Sequence, residues 1–151
     1  MLYIQKLLNA AVRFIFGLYG MKRREHITPY LKELHFLPVY YRIRFKISLL
    51  VFKSLNNMAP KYVSDMLKPR QEKTHAVRIN KDAFLLIPPP APNYSRTSAA
   101  FSYSAPAIWN SLPYGIRCMS DVTHFKTALK THYYRRAYKS SEITYDDIDL
   151  L

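Results

Sequence analysis

Over most of this chain the apolar positions recur with the period of a helix. In residues 1–20, Ile4, Leu7, Leu8, Ala11, Ile15 and Leu18 fall on one face, and the pattern runs out at Gly17 and Gly20. Met21-Lys22-Arg23-Arg24 then makes a short basic linker. Thr28-Pro29 offers an N-cap followed by proline at the first helical position, so a short helix carrying Tyr30, Leu31 and Leu34 is expected, ending near Leu37-Pro38. The longest pattern, Val39 to Leu55, is bounded by Asn56-Asn57 and Pro60. On a helical wheel it places Ile43, Ile47 and Leu50 on one side and Tyr41, Phe45, Leu49 and Phe52 on another, with Arg42, Lys46 and Lys53 within about 40° of each other between them. This predicts a mostly buried helix with one basic stripe reaching out, and Arg44 falls opposite Arg42. Pro60 can open a further short helix through Tyr62, Val63, Met66 and Leu67, closed at Lys68-Pro69.

From Pro69 to Ser98 the helical period disappears. Val77 and Ile79 alternate with polar residues, and Phe84 to Ile87 is a short apolar run ended by Pro88-Pro89-Pro90. A β-hairpin near residues 76–88, turning at Lys81-Asp82 and confined to an edge by its prolines, fits this pattern; so does a segment that orders on a partner. Helical character returns at Thr97 to Tyr103. Ala105-Pro106 then allows a turn of helix through Ile108, Trp109 and Leu112, stopped by Pro113, with Trp109 as a core anchor. Asp121 caps the last helix, where Val122, Phe125, Leu129 and Tyr133 share one face and Lys126, Lys130 and Tyr134 an adjacent one, before the basic run Arg135 to Lys139. The fold class expected is mainly α: one small helical domain over residues 1–139, followed by an acidic tail, 140–151, expected to be disordered or to fold back over basic surface.

Composition narrows the function classes. Only Gly17, Gly20 and Gly115 are glycine, which removes a dinucleotide fingerprint and a phosphate-cradling P-loop. The lone Cys118 makes neither an internal disulfide nor a multi-thiolate zinc site. The 23 Lys and Arg stand against 10 Asp and Glu, for a net charge of +13, and four of those acids lie in the last ten residues. The basic body favours polyanions, chiefly nucleic acid or an anionic membrane face. Lys6 and Arg13 interrupt the first apolar run, which is therefore neither a transmembrane span nor a secretory signal, and a membrane partner is not expected. The acid-free stretch before Glu25 has the composition of a mitochondrial presequence; a core helix with two solvated cations is the simpler reading. The expected location is intracellular, in nucleus or cytoplasm.

Catalytic chemistry finds little support in the residues. Tyr145-Asp146-Asp147 has the wrong spacing for a polymerase metal turn, since the aromatic would have to stand at Thr144, and no strand supplies the further carboxylate that two-metal transfer needs. His26, His35, His75, His124 and His132 show no ligand spacing, and His35, between Leu34 and Phe36, reads as a buried, hydrogen-bonded side chain. Cys118 and His124 supply a thiol and a base, with Arg117 beside the thiol and no orienting acid. No enzyme activity, cofactor, metal or small-molecule substrate is expected. Basic residues interleaved with tyrosines are plentiful, and this pairing suits single strands of RNA or DNA: cations neutralise phosphates while aromatic faces stack on bases. The candidates are Arg42, Lys46, Lys53, Lys126, Lys130, Tyr134, Arg135 and Arg136.

Several strings, taken in order, resemble the C-terminal region of the polyprotein of LINE-type (non-LTR) retrotransposons, downstream of the reverse-transcriptase domain. They are Leu7 to Phe14; His26-Ile27-Thr28-Pro29 with Leu34 to Val39; Arg42-Ile43 leading to Leu55-Asn56; Ala59 to Asp65; Ala105-Pro106 with Trp109-Asn110-Ser111-Leu112-Pro113; and Phe125-Lys126 with Leu129-Lys130. The resemblance covers roughly residues 4–138. The chain departs from the family at Phe36, where tryptophan is frequent, at Thr97-Ser98-Ala99, where the family has a Gly-acid-Arg step, and at Pro88 to Pro90, which replace basic residues. The resemblance implies a non-catalytic piece of a mobile-element enzyme that holds RNA or nicked DNA, without the polymerase palm or the endonuclease. Two rival expectations stand beside it. One is a helical interaction module whose apolar faces dock on a reverse transcriptase or on another copy; the other is a decayed reading frame without a selected role.

Overall fold

The computed structural model describes residues 2–18, 25–70, 84–90 and 100–138. The chain is mainly helical: α1 Leu2–Ile15, α2 Thr28–Glu33, α3 Val39–Leu55, α4 Lys61–Ser64, α5 Phe101–Asn110, α6 Tyr114–Arg117 and α7 Val122–Tyr138. It divides into two compact units, one of Met1–Ile43 with Lys130–Leu151 and one of Arg44–Leu129. The divisions fall within α3 and α7.

In the first unit, Val12, Ile27, Leu31 and Tyr138 form a buried cluster, with Leu8, Phe16, Leu34, Phe36 and Ala137 packed around it. This corrects the face expected of α1. Ile4, Leu7 and Ile15 are 59%, 70% and 59% exposed, whereas Val12 is fully buried. The inward side is the one that carries Gln5, and a polar contact explains the choice. Gln5 Oε1 accepts the amide of Val39 at 2.8 Å, satisfying a donor that the first turn of α3 leaves without an intrahelical partner. Gln5 in turn donates to Asn9 Oδ1 at 2.8 Å. Arg13 is half-buried and donates to the Glu25 carbonyl at 2.9 Å, so it is not a freely solvated cation.

α1, α2 and α3 end alike. Gly17, His35 and Asn57 have φ of 61°, 52° and 56°, and each is followed by an amide that reaches back to the carbonyl five residues earlier: Leu18 to Arg13, Phe36 to Leu31, Met58 to Lys53. This is the Schellman termination, in which a left-handed residue closes the last turn. It stops α2 at Glu33, four residues before the boundary expected from Pro38. No side-chain hydrogen bond caps the N-terminus of α2; Thr28 is its first residue and Pro29 follows.

The second unit is organised around Trp109, 1% exposed, and Phe125, fully buried. Phe52 of α3 stacks on Phe125 with centroids 4.2 Å apart, and Trp109 meets Phe125 at 5.9 Å. The Trp109 indole donates to the Phe84 carbonyl at 2.6 Å. Next to it, Asn110 grips Leu86 as a neighbouring strand would: its Oδ1 accepts the Leu86 amide at 2.9 Å and its Nδ2 donates to the Leu86 carbonyl at 2.8 Å. On its other edge Leu86 bridges Pro69 in antiparallel fashion, with Arg70 N–H to Leu85 O at 2.9 Å and Ile87 N–H to Lys68 O at 2.8 Å. Phe84 has φ 62°, and the Leu85 to Ile87 part of the apolar run is extended, pairing through a single bridge with Lys68 to Arg70 and not with the segment the hairpin expectation assigns it. The other arm of the expected hairpin, with Val77, Ile79 and the turn, lies outside the described residues.

α5 passes through Pro106 without a break, where two pieces were expected. A proline inside a helix removes one amide bond and crowds the preceding turn, and here it is compensated by a buried position next to Ala105, Ile108 and Trp109. α6, four residues long, was missed altogether; its last residue, Arg117, is 7% exposed and donates Nε to the Leu112 carbonyl at 3.1 Å. α7 begins as expected. The His124 amide donates to Asp121 Oδ2 at 2.7 Å, and that bond, followed by the nearby His124 ring at 3.2 Å, holds the Asp121 carboxyl below its ordinary range.

Candidate nucleic-acid interface

The basic stripe of α3 points where its wheel predicts. Ser48, Val51 and Phe52 are buried, and Arg42, Lys46 and Lys53 lie about 80–180° around the helix from them. Arg42 and Lys46 are exposed and Lys53 is half-buried; Arg44, on the packed side, is half-buried. By the division into units, Arg42 belongs to the first and Lys46 and Lys53 to the second. The Arg42 guanidinium lies 5.2 Å from the centroid of the Phe36 ring, a cation–π contact that steadies the side chain and leaves its donors available.

α7 is less simple. Phe125, Leu129 and Tyr133 are buried on the face expected of them, but in the last turns the packed positions are the half-buried Ala137 and the buried Tyr138, and the packed side moves round the helix. Tyr134 moves inward with it. Its hydroxyl donates to the Lys32 carbonyl at 3.0 Å, its ring lies within 19° of parallel to His35 at 5.9 Å, and it meets Tyr138 edge-on at 4.8 Å. Its ring is therefore held in place by packing and half-buried, with one side left on a recess that it lines with Lys32, Arg135 and Tyr138. Lys126 and Lys130 share one exposed face, whereas Arg135 and Arg136, also exposed, project more than 100° to either side of Lys130 at about 100° per residue. The candidate cations are not gathered into one groove. Lys139 lies outside the described residues.

Among the described residues the ion pair present is His124–Asp121, and Arg42, Lys46, Lys53, Lys126, Lys130, Arg135 and Arg136 take part in none. His35 is exposed, which corrects the buried position expected of it, although its Nδ1 does meet the Glu33 carbonyl at 3.0 Å. Cys118 is exposed and lies 3.5 Å from the Gly115 carbonyl, while Arg117 is committed to the interior. Among the described residues no three His, Cys, Asp or Glu side chains are grouped to hold a metal ion, and no helix is long and apolar enough to cross a membrane. Tyr145, Asp146 and Asp147 lie outside the described residues.

One cation escaped the sequence reading. Lys32 of α2 places its Nζ 5.6 Å from the Tyr138 ring, beside Tyr134 and Arg135. About a hundred residues separate it from these partners, so no local spacing announces the group. Comparison with known proteins gives no relative: no protein-family model, no curated protein and no solved structure matches the chain.

Proposed function

We propose that this protein is a non-catalytic, nucleic-acid-binding fragment or accessory of a LINE-type reverse-transcriptase polyprotein, acting on RNA or single-stranded DNA in the nucleus or cytoplasm. The observation that carries the reading is the set of exposed or half-buried cations on α3 and α7 that join no ion pair among the described residues, in a chain of net charge +13. Cations without carboxylate partners are free to exchange condensed counterions for phosphates. Their dispersal over several faces suits sequence-tolerant contact with a flexible strand better than readout of base edges. The order of motifs stated above supplies the retrotransposon element. Filter binding of labelled single strands tests it: replacing Lys126 and Lys130 together by Gln lowers affinity for every sequence alike, and binding that the double variant leaves intact overturns the reading.

A second reading is favoured by α1, whose outward arc carries Tyr3, Ile4, Leu7, Phe14 and Ile15, each more than half exposed. An apolar stripe of this width on a water-facing helix marks a docking surface. We propose as its occupant the reverse-transcriptase domain, because the resemblance is to a region downstream of that domain in one polyprotein. Leu7→Gln with Phe14→Gln removes binding to a purified reverse-transcriptase domain and leaves RNA binding unchanged. Unchanged domain binding, or self-association abolished by the same variant, contradicts this second reading.

A further inference from the structure

The first unit contains a recess of about 270 Å³ lined by Lys32, Tyr134, Arg135 and Tyr138, from α2 and the last turns of α7. Its walls are fixed in advance. The hydroxyl of Tyr134 is tied to the Lys32 carbonyl at 3.0 Å, that of Tyr138 donates to the Phe36 carbonyl, and the two rings brace each other at 62°. A ligand entering here does not have to immobilise these aromatic side chains, which removes part of the entropic cost of binding. Lys32 stands over the Tyr138 ring and Arg135 is exposed, and neither joins an ion pair among the described residues.

Ring carbon beside two available cations selects an anion with a flat or apolar body. A neutral apolar molecule would strip water from the cations without replacing it, and a bare inorganic anion would leave the tyrosine surface uncovered. The volume lies just below the usual range for small-molecule sites, roughly 300–1,000 Å³, which suits a single nucleotide better than anything larger. We propose that this recess seats one nucleotide of a bound single strand, with Lys32 and Arg135 on its phosphate and its base against the accessible side of Tyr134, while the buried Tyr138 forms the floor. The proposal rests on the nucleic-acid reading above and adds Lys32 to it.

The test uses the full chain, a short labelled oligothymidylate and, as a polyanion without bases, inorganic polyphosphate. Lys32→Gln is expected to weaken oligothymidylate binding and to lower the slope of log affinity against log salt by about 0.7, whereas Lys68→Gln, an exposed lysine elsewhere, lowers neither as much. Tyr134→Leu is expected to weaken oligothymidylate roughly fivefold or more while polyphosphate binds as before, with circular dichroism confirming the fold. If Lys32→Gln and Lys68→Gln behave alike, or if Tyr134→Leu weakens both polyanions equally, the recess holds no nucleotide although the wider reading stands. If the unmodified chain binds no oligothymidylate, the wider reading and this proposal fall together.

Discussion

Asn57 ends α3 with φ 56°, a conformation in which every side chain except glycine's is crowded. Asn57→Gly is therefore expected to raise stability by about 0.5–1 kcal/mol, checked by urea denaturation at constant m-value; a loss of stability would show that the asparagine side chain supports the turn. His35 takes the same conformation, which is why the sequence misplaces it. Its apolar neighbours Leu34 and Phe36 suggest burial, but the sign of φ turns its side chain outward, and no local pattern reports that sign. His132 behaves differently. Its Nε2 is buried without a hydrogen-bond partner among the described residues, and burial, then the Arg136 charge, push its pKa down. The unfolded chain thus takes up this proton near the ordinary histidine pKa of about 6.5 while the folded chain resists it, so stability falls as pH drops from about 7 toward 5. His132→Leu should flatten that slope in thermal melts. An unchanged slope would place the pH dependence elsewhere.

At the scale of elements, the helices were legible because their evidence is local: period, a proline at a helix start, the Asp121 cap. Which face each helix buries was less so. α1 is apolar over so wide an arc that hydrophobicity leaves the choice open, and the hydrogen bond from Val39 to Gln5 decides it. α7 buries one side at Phe125, Leu129 and Tyr133 and another at Tyr138, so a single wheel averages two answers and assigns Tyr134 to the lysine face. The pairing of Asn110 with Leu86 lay beyond any periodicity argument, since it joins a helix end to a segment 24 residues earlier. Asn110→Ala, losing both bonds beside a buried backbone, is expected to cost about 1–3 kcal/mol. Asn110→Asp should also destabilise, because it keeps an acceptor for the amide and sets a second against the carbonyl. A neutral Asn110→Ala would mean that water replaces the side chain. Trp109, placed in the core by sequence and found there, should cost about 3–5 kcal/mol on truncation to alanine.

For the whole molecule, charge was the most readable property and its arrangement the least. The sequence supplies a +13 chain and a correct outward stripe on α3, because stripes are periodic. It could not supply Lys32 beside Tyr138, nor the turn of α7 that separates Arg135 and Arg136 from Lys126 and Lys130, because both depend on which side of each helix packs. The central question is whether position, and not bulk charge, governs binding to single strands. Arg42 and Arg44 give the cleanest comparison: the same residue type, two positions apart on α3, one exposed on the stripe and one on the packed side. The deciding measurement is the salt dependence of single-strand affinity for Arg42→Gln and Arg44→Gln side by side. The account predicts that Arg42→Gln lowers affinity and reduces the slope of log affinity against log salt by about 0.7, while Arg44→Gln changes the slope much less. Equal effects from the two, or an affinity indifferent to salt, would contradict it.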